Sequence, residues 1–173
     1  MKKLLTIIAL LALSTLTFAQ KAGDKITFSS KNLNGTEVTS EMFSKNKLTI
    51  INIWGTFCPP CIREMPDLAK LNATNKAKGV EVVGIPIDIV DRTGNILPRT
   101  KADGDAIIKQ TGANYTHIVP NKELLNGLLK NIQAVPATFF VDNEGKILGQ
   151  MYLGARSQKD WQKIIDELLE KKK

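Results

Sequence analysis

Runs of apolar, β-branched residues separated by turn signals predict the strands of this chain. Residues 47–54 and 80–87 are almost continuously apolar, which is typical of parallel strands buried on both faces. The Asn34-Gly35 dipeptide predicts an early hairpin, and residues 142–145 predict a late one. The shorter runs that predict the remaining strands are residues 25–29, 37–39, 116–119, 137–141 and 146–152.

Two helices are predicted by their capping residues as well as by their apolar spacing. The first begins at Pro59, because the first turn of a helix tolerates a residue without an amide hydrogen, and it runs to about residue 78 with a kink at Pro66. The last follows Ser157, which forms a capping box with Asp160. Short helices are predicted at residues 105–111 and 122–131, and a long loop at residues 88–104.

Helices between the inner strands imply a parallel core, and the late hairpin adds an antiparallel edge. Residues 20–173 are therefore predicted to form one α/β domain with a mixed central sheet and helices on both faces.

The first 19 residues have the layout of a secretory signal peptide. Lys2 and Lys3 precede an apolar run at residues 4–13, and small residues at 17 and 19 predict cleavage before Gln20. An uncleaved anchor is the alternative, although the apolar segment is shorter than the roughly 20 residues that a spanning helix needs. We therefore expect an exported protein, in the periplasm or on the extracytoplasmic face of the membrane.

The formal net charge of +7 changes this picture little. Nucleic-acid binding is not expected, because the chain has no basic stripe interleaved with aromatic residues.

Cys58 and Cys61 are the only cysteines, and three uses compete for them. As a structural staple they would close a very short loop and would remove little entropy from the unfolded chain. A tetrahedral metal site needs four ligands, and the only histidine, His117, is far along the chain and is expected to cap a surface strand. A reversible redox pair is the remaining use, and exported proteins keep such disulfides oxidised.

The position of the pair predicts its chemistry. Cys58 falls where a strand ends and a helix begins, and a helix N-terminus stabilises a thiolate and lowers the pKa of the thiol. Cys58 is therefore the predicted nucleophile, and Cys61, one turn later, is the predicted resolving thiol. Because Pro59 and Pro60 carry no amide hydrogen, Cys61 is the first residue after Cys58 that can donate one. We predict a reducing potential nearer to about −270 mV than to about −120 mV.

The segment Trp54-Gly-Thr-Phe-Cys58-Pro-Pro-Cys61-Ile-Arg-Glu-Met-Pro66 resembles the active-site signature of the TlpA/ResA-like thioredoxins. These are exported thiol–disulfide oxidoreductases of the bacterial envelope with a redoxin-like domain. The resemblance covers most of residues 20–173 and implies a thioredoxin-like fold, with a hairpin before the core and an insertion in the middle of the chain.

The same resemblance implies roles for several residues near the cysteines. Pro136 would follow a cis peptide bond and face the pair, and the backbone at Val135 and Pro136 would hold the substrate. Trp54 would pack beside the motif and contribute to this substrate site. Asn52 stands where thioredoxin has a buried acid, so Asp88 is the candidate proton relay, although a solvated loop aspartate is the alternative. Among the remaining helix residues, Arg63 and Glu64 are predicted to be solvated.

The function implied by the resemblance is a protein-disulfide reductase without a cofactor beyond its own redox-active disulfide. Its clients would be envelope proteins such as apocytochrome c or a methionine sulfoxide reductase. Its electron donor would be a membrane thiol carrier of the CcdA or DsbD type, and we expect a monomer that binds no metal. Alternatives are a disulfide-forming oxidant, a copper chaperone, or a peroxidase, which Gly55 disfavours because peroxiredoxins usually carry Thr or Ser there.

Overall fold

A computed structural model describes residues 22–171, so the predicted signal peptide, Lys172 and Lys173 lie outside the described residues. Its main sheet has five strands, which in chain order are β3 (Leu48–Trp54), β4 (Val80–Pro86), β5 (Thr116–His117), β6 (Ala137–Val141) and β7 (Tyr152–Leu153). Their order across the sheet is β5-β4-β3-β6-β7. Within residues 22–171, no helix combines the length and the apolar character needed to cross a bilayer.

The two strands at the centre of the sheet confirm the prediction from their apolar sequences. β3 pairs parallel with β4 and antiparallel with β6, so the sheet is mixed as expected. All seven residues of β3 are buried. Alternate side chains enter two apolar clusters, with Ile50 in one and Ile51 in the other, because successive side chains of a strand point to opposite faces.

Helices cover the face of the sheet that carries the cysteines. α1 (Pro59–Asn75) and α4 (Gln158–Glu170) contribute buried side chains to the same cluster as Ile50. Pro66 lies inside α1, and the hydroxyl of Ser157 caps α4 by accepting from the amide of Asp160, as predicted.

The early hairpin forms farther along the chain than predicted. β1 (Ser29–Lys31) pairs antiparallel with β2 (Glu37–Thr39), whereas residues 25–28 do not join the hairpin. The amide of Ile26 donates to the carbonyl of Gly145 at 2.8 Å, and the Ile26 side chain is buried. Residues 25–28 therefore pack against the segment around Gly145 and do not extend the hairpin.

The predicted loop at residues 88–104 was wrong in its second half. α2 (Pro98–Thr111) begins at Pro98 and continues through Gly104, which is its one buried residue. Pro98 occupies the first turn, where its missing amide hydrogen has no partner to lose, and Lys101 pairs with Asp105 at 2.7 Å one turn apart. Glycine and scattered charges had obscured a helix that these local contacts support.

Two later elements are shorter than predicted. α3 (Lys122–Asn126) ends early, and residues 127–131 continue as turns. Of the predicted strand at residues 146–152, only Tyr152 belongs to β7. Lys146 and Ile147 instead form single bridges to Lys25 and Val141.

Substitutions at Gly104, inside α2, and at Gly112, which ends it, test whether residues 98–111 form one helix. A Cβ at Gly104 would meet neighbouring side chains at 3.5 Å or more, which is ordinary contact, so Gly104→Ala should raise the free energy of unfolding by about 0.5–1 kcal/mol. Gly112 ends the helix at φ +69°, so Gly112→Ala should lower it by about 1 kcal/mol. Urea unfolding of both variants checks this; equal effects of the two changes would contradict the helix.

Candidate functional site

The cysteine pair lies at the carboxyl end of β3, where the chain turns into α1. Cys58 is the N-cap of α1, Cys61 lies in its first turn, and a disulfide joins them. Cys58 is 4% exposed and Cys61 is 0% exposed. Of the two residues, only Cys58 therefore retains exposed surface.

The backbone around Cys58 supplies one donor and one acceptor. The amide of Cys61 donates to Sγ of Cys58 at 3.3 Å, which is the contact expected from the two intervening prolines. The carbonyl oxygen of Val135 lies 3.6 Å from the same sulfur. The Val135–Pro136 peptide bond is cis, in agreement with the resemblance.

An apolar groove of about 370 Å³ opens beside Cys58. Phe57 forms part of its wall with 65% of its surface exposed, the highest value among the exposed large apolar side chains of residues 22–171. Its other apolar walls include Pro60, Ile87, Ile132 and Val135. The groove therefore places exposed apolar surface directly next to the accessible sulfur.

Glu64, predicted to be solvated, is instead a buried acid with 3% of its surface exposed. Oε1 accepts from Nδ2 of Asn52 at 2.9 Å, and Oε2 accepts from the amide of Arg156 at 3.1 Å. Burial raises the pKa of Glu64, and these two donors partly oppose the rise. The prediction was wrong because it treated a charged residue as exposed, whereas Arg63 is exposed as expected.

The spacing of α1 contains the signal that would have located Glu64. It follows Cys61 by three residues and precedes Leu68 by four, so it falls on the stripe that faces the core. Asn52, which cannot take a proton itself, also donates to Oγ1 of Thr138 at 3.1 Å. This asparagine therefore holds the buried acid in place.

Asp88, the acid singled out in the sequence, is half-buried and binds the turn that follows β3. Its carboxylate accepts from the amide of Thr56 at 3.1 Å and from the hydroxyl of Thr56 at 2.5 Å. These contacts fix the backbone two residues before Cys58.

Trp54 and His117 lie in the interior beneath this turn. Trp54 has no exposed surface, so its indole supports the motif from below and is not open to a substrate chain. The prediction of a surface position for His117 was wrong, because its ring is 4% exposed and is bonded to Trp54. Burial lowers the pKa of His117 to about 4.

Metal-binding geometry is not found among residues 22–171, where no three His, Cys, Asp or Glu side chains are grouped to hold an ion.

The fold and the cysteine pair define a thioredoxin-like protein. Residues 22–149 match the AhpC/TSA family, and the chain belongs to that family. The resemblance inferred from the motif is confirmed at this level.

Two relatives found by sequence similarity are named for thiol–disulfide exchange. The chain is 29% identical over 131 residues to "Thiol:disulfide interchange protein DsbE" of Pasteurella multocida, covering 76% of this chain and 64% of that protein. It is 28% identical over 107 residues to "Thiol-disulfide oxidoreductase ResA" of Bacillus thuringiensis, covering 62% of this chain and 56% of that protein. The chain thus spans less than two thirds of either relative.

Solved structures share the fold over nearly the whole described region. A thiol:disulfide interchange protein of the thioredoxin family from Chlorobium tepidum is 26% identical with a TM-score of 0.70, covering 87% of this chain and 99% of that chain. The thioredoxin domain of a thiol–disulfide oxidoreductase from Bacteroides vulgatus is 21% identical with a TM-score of 0.68 and the same coverage. The thioredoxin-like fold predicted from the motif is confirmed.

The buried His117 should make stability depend on acidity. Its pKa falls from 6.5 in the unfolded chain to about 4 in the folded protein, so only the unfolded chain takes up this proton between those values. The free energy of unfolding should therefore fall by about 3 kcal/mol as the pH drops from about 6.5 to about 4.

Urea unfolding of the oxidised protein and of His117→Phe across this range measures the effect. Glu64 titrates in both proteins, so the difference between the two pH profiles isolates His117. Parallel profiles would contradict a buried, neutral imidazole.

Proposed function

We propose that this chain is a thiol–disulfide oxidoreductase that reduces disulfides in exported proteins. The observation that carries the proposal is the unequal placement of the two sulfurs. Cys58 lies at the N-terminus of α1 beside an apolar groove, and Cys61 is buried one turn behind it. This arrangement suits a nucleophile that meets the client and a second thiol that acts only after the client is attached.

The reaction is a two-electron exchange. The Cys58 thiolate attacks one sulfur of the client disulfide, forms a mixed disulfide and releases the other client sulfur as a thiolate. Cys61 then loses its proton and attacks Sγ of Cys58, which frees the second client thiolate. The client disulfide becomes two thiols after protonation, and Cys58 and Cys61 become the disulfide.

The groove and the Val135 carbonyl support a mode of client binding. A carbonyl 3.6 Å from the nucleophilic sulfur can accept an amide hydrogen from an extended client segment. Phe57 and its apolar neighbours would bury a side chain next to the target cysteine. We therefore propose client contacts at Val135, Pro136 and the groove, with Trp54 acting only from below.

Glu64 is the proposed proton acceptor for Cys61. It is buried on the same face of α1, three residues after the resolving thiol, and its raised pKa brings it closer to the range in which a carboxylate removes protons effectively. Asp88 is the rival acceptor; its carboxylate binds the turn at Thr56, before Cys58, whereas Glu64 lies on the same helix as Cys61.

The direction of exchange follows from how weakly Cys58 is stabilised as a thiolate. One amide donor, that of Cys61, is bonded to its sulfur, and the two prolines between the cysteines offer none. A less stabilised thiolate favours a reducing pair. Together with the predicted signal peptide, this supports envelope clients such as apocytochrome c or a methionine sulfoxide reductase, and a CcdA or DsbD type of electron donor.

Single-cysteine variants test the exchange cycle. Cys61→Ala should accumulate mixed disulfides with client proteins on Cys58, because the resolving thiol is missing, whereas Cys58→Ala should accumulate none. Nonreducing gels and mass spectrometry of proteins captured in the periplasmic or surface fraction identify these adducts. Equal capture by both variants would refute the assigned order of attack.

Equilibration with glutathione tests the direction. We expect a reduction potential below roughly −180 mV. A higher value would instead make the protein a disulfide-forming oxidant.

Paired acid variants test the proton acceptor. Glu64→Gln should slow resolution of the Cys58 mixed disulfide about tenfold or more near neutral pH, because an amide cannot accept the proton. Asp88→Asn is the matched variant, and stopped-flow measurement of both across pH 5–9 compares them. A larger loss in Asp88→Asn would assign the role to Asp88.

A further inference from the structure

His117, the only histidine of the chain, has both ring nitrogens engaged in the interior. Nε2 lies 2.9 Å from the carbonyl oxygen of Ala113, and Nδ1 lies 3.3 Å from Nε1 of Trp54. A carbonyl only accepts and an indole N–H only donates. Both bonds therefore require one form of the ring, neutral, with its hydrogen on Nε2.

The surrounding backbone is shaped to admit this ring. His117 of β5 stands opposite Gly84 of β4, and a Cβ at Gly84 would lie 2.2 Å from Nδ1. Tyr115 stacks on the imidazole with ring centroids 4.6 Å apart. The imidazole thus lies against Gly84 of β4 and the ring of Tyr115, which directly precedes β5.

Trp54 connects the fixed imidazole of His117 to the apolar cluster that contains the cysteines. Its ring meets His117 edge-on, with centroids 5.6 Å apart and planes inclined at 77°. The Trp54 side chain belongs to the same apolar cluster as Cys58 and Cys61, and its backbone begins the turn that Asp88 holds at Thr56. The indole therefore contacts the imidazole directly and shares an apolar cluster with the redox pair.

We propose that His117 is a positioning residue of the Cys58–Cys61 site, where it holds the Trp54 indole in one orientation against the cluster that contains both sulfurs. The proposal rests on the proposed function, because positioning matters only if the pair exchanges disulfides. A neutral imidazole suits this task, since it accepts from Trp54 and donates to Ala113 at once. A phenyl ring of similar size would leave the buried indole N–H without an acceptor.

Reactivity of the reduced, folded protein tests this role separately from stability. His117→Phe should change the rate of Cys58 alkylation by iodoacetamide at least threefold, and Trp54→Phe should do the same. The double variant should differ from wild type by no more than the larger single change, because both act through one contact. His117→Asn, whose Oδ1 can stand near the position of Nδ1, should restore a rate close to wild type.

The results that would refute the positioning role of His117 differ from those that would refute the proposed disulfide exchange. A lower free energy of unfolding with an unchanged Cys58 rate in His117→Phe would make His117 a packing residue only, as would additive effects in the double variant. Slow alkylation of Cys58 in wild type would instead remove the proposed function.

Nitrogen-15 NMR of wild-type protein gives a check that needs no variant. One imidazole is present, so its signals are unambiguous, and we expect the hydrogen on Nε2. A hydrogen on Nδ1 would exclude the bond from Trp54 and refute the proposal.

Discussion

The hydrogen bond from the amide of Cys61 to Sγ of Cys58, at 3.3 Å, is the interaction on which the rest of the site depends. It exists because a strand buried on both faces ends one turn before a helix whose first two residues are prolines. That junction places one sulfur at the positive end of the helix and the other in the core. Cys58 is therefore expected to be both the more accessible and the more acidic thiol, although Cys61 is only three residues away.

Other contacts around this bond lie at two depths, one near the surface and one in the core. Val135 and the apolar groove lie beside the accessible sulfur, and Asp88 fixes the turn that leads to it. In the core, the side chain of Asn52 and the amide of Arg156 both donate to Glu64, which lies on the same buried face of α1 as Cys61. The groove, the turn and the buried acid take residues from several elements and loops, so the site does not depend on the motif alone.

The features predictable from sequence are those with local causes. The buried strands, the helix start at Pro59 and the donor at Cys61 follow from consecutive residues. The spacing of α1 places Glu64 on the core-facing stripe, but its partner does not follow from consecutive residues, since Arg156 is 92 residues away in the chain. The same holds for His117, whose bond to Trp54 spans 63 residues. The second half of α2 was predicted, and its first half was missed because glycine lowers helix propensity, although Pro98 and the Lys101–Asp105 pair support the helix there.

The pH dependence of alkylation at each cysteine of the reduced wild-type protein, with the two sites resolved by peptide mass spectrometry, shows directly whether Cys58 is the acidic, accessible thiol. We expect Cys58 to react at neutral pH faster than an unperturbed thiol, with a pKa below about 8.5, and Cys61 to stay protected. Reaction of Cys61 first, or of Cys58 at the rate of an ordinary thiol, would contradict this expectation.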